Sequence, residues 1–209
     1  MPAHAAGSAK PARTPCLSPP VAVTSGPAAV YNGPTMAERL RPGELAELIR
    51  ASGEALVREL LAMTPSVATF HRAPGEWCAL EVLGHMIEAE RRGFSGRVRQ
   101  LLEQESPRLE SWDPDAVARS RNDCAGSLVE MVKEFKRLRA ESVAQVFRLR
   151  EEELARRGEH VVVGQLTVAD LVQEWVYHDR DHLRQLYANV QAYVFPHMGA
   201  AQRFYQPSS

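Results

Sequence analysis

The sequence predicts an all-α fold, a four-helix bundle. Four segments repeat their apolar residues at helical spacing, no strand has a visible partner, and no internal repeat suggests a solenoid. At 209 residues with 44% hydrophobic and 24% charged residues, the chain has the composition of one well-buried domain.

The first 35 residues stand apart. Pro2, Pro11, Pro15, Pro19, Pro20, Pro27 and Pro34 crowd there, Lys10 and Arg13 are the only charges, and no periodicity is present. Such a stretch buries too little apolar surface to offset its ordering entropy. It is expected to be a disordered tail or a mis-assigned start preceding a true start at Met36. Residues 36–195 then form the bundle and 196–209 a weakly patterned C-terminal extension. The run Val21-Ala22-Val23 is broken at once by Thr24-Ser25-Gly26-Pro27, too short for a signal peptide.

The first helix is expected over about 43–62, on Leu45, Leu48, Ile49, Leu56, Leu60 and Leu61, stopped by Thr64-Pro65. The second runs about 79–103 on Leu80, Leu83, Met86, Ile87, Phe94 and Val98. Residues 104–123, with Pro107 and Asp113-Pro114, read as a long connection with one short helical turn. The third helix covers about 125–149 on Leu128, Met131, Val132, Phe135, Leu138, Val143 and Val146. A short helix is expected at 151–156. Val161-Val162-Val163 reads as extended loop, because a lone strand has nothing to pair with. The fourth helix starts after Thr167, where Thr167 and Asp170 resemble a capping box, and reaches about 192 before Pro196.

The charge balance, 25 basic against 26 acidic residues, excludes binding of nucleic acid through a broad basic surface. No run is apolar enough to span a membrane, and a cytoplasmic protein is expected. Cys16, Cys78 and Cys124 are too few and too scattered for a disulfide framework or a thiolate zinc site.

The chemistry is expected at histidines. His178 and His182 are four apart on the stripe Leu171, Trp175, His178, His182, Leu186, so both fall on the inward face of one helix. His85 lies near the apolar stripe of the second helix. Three neutral imidazoles from two helices supply three ligand positions and leave the others open to water or substrate, as a reactive metal needs. The ion is a divalent transition metal, with zinc, nickel, copper and ferrous iron all compatible. Unrelated core histidines are the competing reading. Glu-x-x-His, His-Glu-x-x-His and the glycine-rich phosphate loops are absent. His4, His71, His160 and His197 read as surface or loop residues.

Around the histidines, Glu81 and Glu88 lie one turn either side of His85 and could orient an imidazole or add a ligand. Arg139 could receive a substrate carboxylate or pair with a glutamate of the second helix. Trp175 could wall the site. Asp179 and Asp181 point elsewhere by helical phase, towards an exposed or dimer-facing surface. Gly84, costly inside a helix, would suit close approach by a neighbour.

The stretch Pro74-Gly75-Glu76-Trp77-Cys78-Ala79-Leu80-Glu81-Val82-Leu83-Gly84-His85-Met86-Ile87-Glu88-Ala89-Glu90-Arg91 resembles the second-helix signature of the DinB-like (DinB/YfiT-like) metalloenzyme family. So does Gly164-Gln165-Leu166-Thr167-Val168-Ala169-Asp170-Leu171, followed by Trp175 and His178-Asp179-Arg180-Asp181-His182-Leu183-Arg184-Gln185. The resemblance covers about residues 38–192. It implies a four-helix bundle with a long crossover, a divalent metal on His85, His178 and His182, and a homodimer. It further implies a metal-dependent enzyme that transfers a low-molecular-weight thiol, such as bacillithiol, mycothiol or glutathione, to an electrophilic small molecule. The alternative is a non-catalytic, stress-related metal-binding bundle. Cys78 departs from the family's usual Ser or Thr after the tryptophan, and cysteine is a poor helix cap.

Overall fold

Two prolines frame the first long helix. α1 spans Pro42–Ala62, with proline in the first turn, where a missing N–H costs nothing. The Glu44 carboxylate accepts the Arg41 N–H at 2.8 Å. The chain turns extended at Met63, and Pro65 opens a single-turn α2 (Pro65–Ala68). The computed structural model describes residues 39–205. The expected tail over 1–35 and the start at Met36 lie outside the described residues.

The second segment is helical over the expected range but not uniformly. α3 (Ala79–Glu88) passes into a wide π turn over Ala89–Gly93, where the Phe94 N–H reaches back to Ala89 O at 2.8 Å, and α4 (Ser95–Glu103) continues. On an ideal helix Phe94 would lie half a turn out of phase with His85. The wide turn shifts that phase, and Phe94 is buried edge-on to His178.

The connection that follows holds more structure than expected. It contains a short strand β1 (Arg108–Leu109) and α5 (Pro114–Arg121). Asp113 caps α5, accepting the N–H groups of Asp115 and Ala116 at 2.9 and 3.1 Å. Asn122, in the left-handed region at φ 53°, ends it, and a tight turn over Asp123–Ala125 leads on. α6 (Leu128–Phe147) begins at the cap Ser127, later than expected.

Residues 157–167 correct the sequence reading. β2 (Arg157–His160) and β3 (Gly164–Thr167) form an antiparallel hairpin with Val161–Val163 as its turn, and β1 adds in parallel to β2. β2 thus has two partners: β3, directly after the turn, and β1 from the crossover, far away in sequence. α7 (Val168–Val194) then starts on a reciprocal capping box: the Thr167 Oγ1 accepts the Asp170 N–H at 3.1 Å, and the Asp170 carboxylate accepts the Thr167 N–H at 3.0 Å. Tight helical turns over Phe195–His197 and Gly199–Tyr205 occupy the C-terminal extension.

The architecture is an all-α four-helix bundle of α1, α3–α4, α6 and α7, with the three-stranded sheet beside it. α1 packs on α6 and α7, and α3 packs on α5, α6 and α7. The apolar core has two parts. One gathers Ile49, Phe94, Val98, Val146, Leu171 and Trp175, and the other Leu60, Leu83, Ile87, Phe135 and Leu186. Among the described residues no helix is long and apolar enough to cross a membrane.

Candidate metal centre

α3 presents His85 and α7 presents His178 and His182. Leu171, Trp175 and Leu186 are buried, so the stripe predicted for α7 does face inward. His85 is buried, and His178 and His182 are half-buried. The Nε2 atom of His178 lies 3.0 Å from Nε2 of His85 and 3.2 Å from Nε2 of His182. Ligand atoms of all three fall within 4.8 Å of one another.

These spacings test whether an ion fits. Two nitrogens bound at about 2.0–2.1 Å to one ion sit about 2.9 Å apart at right angles and about 3.4 Å apart at the tetrahedral angle. The observed separations fall in that interval. The tautomers agree. Nδ1–H of His182 donates to Gln185 Oε1 at 2.9 Å, which leaves the Nε2 lone pair free to face the cluster. Nδ1 of His85 and of His178 are buried without a partner. With no partner holding a proton on Nδ1 of His85 or of His178, both rings are free to turn an Nε2 lone pair to a cation.

The electrostatics favour neutral rings. Burial, followed by the neighbouring His182, lowers the pKa of His85 to about 3. Burial, then His182, His85 and Arg139, holds His178 well below its ordinary value, and burial lowers His182 too. The metal-binding form of each imidazole is therefore the one present at neutral pH.

Aromatic rings wall the cluster. Trp77 lies 5.0 Å from the His85 ring and stacks on His182 at 6.3 Å; Trp112 stacks on His85 at 5.5 Å. Phe94 meets His178 edge-on at 5.0 Å, and Trp175 stacks behind Phe94 at 5.0 Å. Trp175 thus supports the wall from a second layer. A groove of about 800 Å³ between α1 and α6, lined by Val57, Phe135 and Arg139 among others, touches none of the three histidines.

The polar residues expected around His85 are engaged elsewhere. Glu81 accepts the Cys78 N–H at 2.8 Å and pairs with His71 at 2.9 Å. Glu88 pairs with Arg121 at 2.7 Å and Arg92 at 2.7 Å. Arg139 is buried, with Nε and Nη2 on Glu90 Oε1 at 2.7 and 2.6 Å and a bidentate grip on Asp179 at 2.5 and 3.1 Å, so it has no free edge for a substrate carboxylate. Asp179 corrects the sequence reading: it is 1% exposed and faces the interior, where Ser52 Oγ also donates to it at 2.5 Å. His160 is likewise buried as a strand residue, its Nδ1 accepting the N–H groups of Val162 and Val163. His71 and His197 are exposed, as expected, and His4 lies outside the described residues.

Gly84 serves the close approach its position suggested. A Cβ there would run into the carboxylate of Asp123, which Arg121 grips from Nε at 3.1 and 2.9 Å. Arg121 then reaches Glu88, so this knot ties the crossover to α3 beside His85. Sequence reasoning missed Gln185, Phe94, Trp77 and Trp112. Only Gln185 left a local signal, sitting three residues after His182 on the same helix. It also missed that Cys78 and Cys124 meet, with their sulfurs 2.7 Å apart.

The profile described as the DinB superfamily matches residues 48–186. A solved structure similar to this one is YfiT from Bacillus subtilis, described as a probable metal-dependent hydrolase with an unusual four-helix bundle topology. It is 14% identical, with a TM-score of 0.67, and the match covers 77% of this chain and 90% of that one. No curated protein matches the chain.

Proposed function

The chain belongs to the DinB superfamily, and on that premise we propose that it is a metal-dependent enzyme whose ion is held by His85, His178 and His182. The reaction assigned is transfer of a low-molecular-weight thiol to an electrophilic small molecule. The observation that carries this reading is the convergence of three neutral Nε2 atoms at spacings an ion requires. A bound divalent ion supplies a positive charge that favours the deprotonated form of a thiol or water at neutral pH. The chain does the rest. Gln185 fixes the tautomer of His182. Trp77 and Trp112 flank His85 and offer apolar surface to a substrate while thinning the water around it. His178 and His182 are less buried than His85, and a small molecule would approach the ion from their side. The same reading includes a homodimer acting on cytoplasmic small molecules, and a sedimentation measurement of the native mass tests the dimer.

The description of YfiT as a probable hydrolase brings water forward as the competing nucleophile. One experiment separates the readings. The protein is loaded with zinc, nickel or ferrous iron and assayed with bacillithiol, mycothiol or glutathione against a generic electrophile, and separately against an activated ester. Metal-dependent thiol loss that disappears in His178→Ala supports thiol transfer. Ester cleavage without thiol loss moves the reaction to water. Stoichiometric metal with neither reaction leaves a binding protein.

A further inference from the structure

We propose that Cys78 and Cys124 are a redox-reversible pair that closes to a disulfide, a modification site separate from the three histidines. Their sulfurs stand 2.7 Å apart although the residues are 46 positions apart in the chain. Neither is in a disulfide, and Cys124 Sγ has one further contact, His71 Nε2 at 3.8 Å. Both backbones are fixed where they stand. Cys78 is the cap residue of α3, its N–H held by Glu81. Cys124 follows Asp123, which is locked against Gly84 by Arg121. Closing the bond therefore asks little of the fold.

The same corner holds His71 and Glu81, so a metal must be weighed. Ligand atoms of His71, Cys78, Glu81 and Cys124 lie within 4.8 Å of one another. However, two sulfurs on one tetrahedral ion with bonds of about 2.3 Å sit about 3.8 Å apart. The sulfurs here are about 1 Å closer than that, and His71 and Glu81 already pair with each other. Proximity favours the sulfur–sulfur bond.

The oxidant is a hydroperoxide, which the half-buried Cys124 meets before the fully buried Cys78. The Cys124 sulfur attacks the peroxide, the O–O bond breaks, and the thiol proton leaves with the released water or alcohol, giving a sulfenic acid. The Cys78 sulfur then displaces the hydroxyl group, which leaves as water with the Cys78 proton, and the disulfide forms. The pair loses two electrons and the peroxide gains them. Two equivalents of a small thiol reverse the step by exchange. Burial raises both thiols above their ordinary pKa, so the oxidation is slow at neutral pH and quickens as the medium becomes alkaline. The bond would join the segment carrying Trp77 to the crossover carrying Trp112, two rings that flank His85.

The test uses the full chain carrying Cys16→Ser, freed of metal by chelator so that its outcome does not depend on the histidine site. It is treated with hydrogen peroxide at pH 8 and then alkylated. The expected result is loss of both alkylatable thiols, loss of the mass of two hydrogens, a linked peptide joining Cys78 to Cys124, full reversal by dithiothreitol, and a melting temperature raised by roughly 5–10 °C. With Cys78→Ser, a change that supplies a better cap, a dimedone adduct should appear on Cys124. Thiols that stay free, overoxidation of Cys124 with Cys78 untouched, a disulfide between chains, or a metal held by the two sulfurs before chelation would each overturn the proposal.

Discussion

His178 and Asp179 are adjacent in α7, yet they serve two polar clusters of opposite character. Asp179 turns into a closed one: Arg139 grips it with two nitrogens, Ser52 donates to it, and Glu90 takes the remaining edge of the guanidinium. His178 turns into an open one, where three Nε2 atoms converge and two Nδ1 atoms have no partner. Both clusters are costly to bury, but only the first repays the cost internally. A polar group left unsatisfied beside others of the same kind marks where a ligand belongs, whereas a satisfied charge, however well buried, marks architecture. Even the closed cluster has one loose end, since Glu90 Oε2 lacks a partner and burial raises the pKa of that carboxyl.

The largest expected effect comes from breaking the closed cluster. Arg139→Ala leaves two buried carboxylates without a counter-charge and should cost about 3–5 kcal/mol by urea denaturation. A loss under 1 kcal/mol would mean the cluster is not the structural element described.

Acid should act on the open cluster. Its histidines have folded pKa values below the unfolded 6.5, so the unfolded chain binds more protons. Metal-free protein should therefore keep full stability above pH 6.5 and lose about 2–4 kcal/mol as the pH falls towards about 3. Glu90 works with the opposite sign. Its raised pKa contributes stability below 4.5 that is lost as the pH rises through its folded value. The slope between pH 6.5 and 4.5 should flatten when His85, His178 and His182 are all replaced by alanine. A slope that persists would place the acid lability elsewhere.

Gly84→Ala tests the knot that ties the crossover to α3. A methyl group there collides with Asp123, and the cost should be about 1–3 kcal/mol despite the better helix propensity of alanine. Smaller still, Gln185→Ala should leave the fold intact and weaken metal affinity about 10–100-fold, read by competition with a chelating dye.

The four long helices were legible because periodicity and caps are local, as the Thr167–Asp170 capping box and the stop at Thr64-Pro65 illustrate. The three histidines were legible for the same reason, since two of them share one helical stripe. Features that needed distant partners were not. The third strand of the sheet, β1, comes to the hairpin at 157–167 from the crossover, and Trp112 reaches His85 from a connection without helical phase. Asp179 lay off the apolar stripe, but a bundle helix touches several neighbours, and its second inward face met Arg139. The π turn beside Phe94 has no sequence signature of its own among residues 79–103. Cys78 and Cys124 met through the crossover, which no spacing rule could foresee.

The central claim is that the ion sits on three imidazoles. X-ray absorption at the zinc edge of the zinc-loaded protein tests it most directly. The account predicts a nitrogen and oxygen shell at about 2.0–2.1 Å with imidazole scattering behind it, lost in His178→Ala. A sulfur shell at about 2.3 Å, or zinc retained unchanged in that variant, would contradict it.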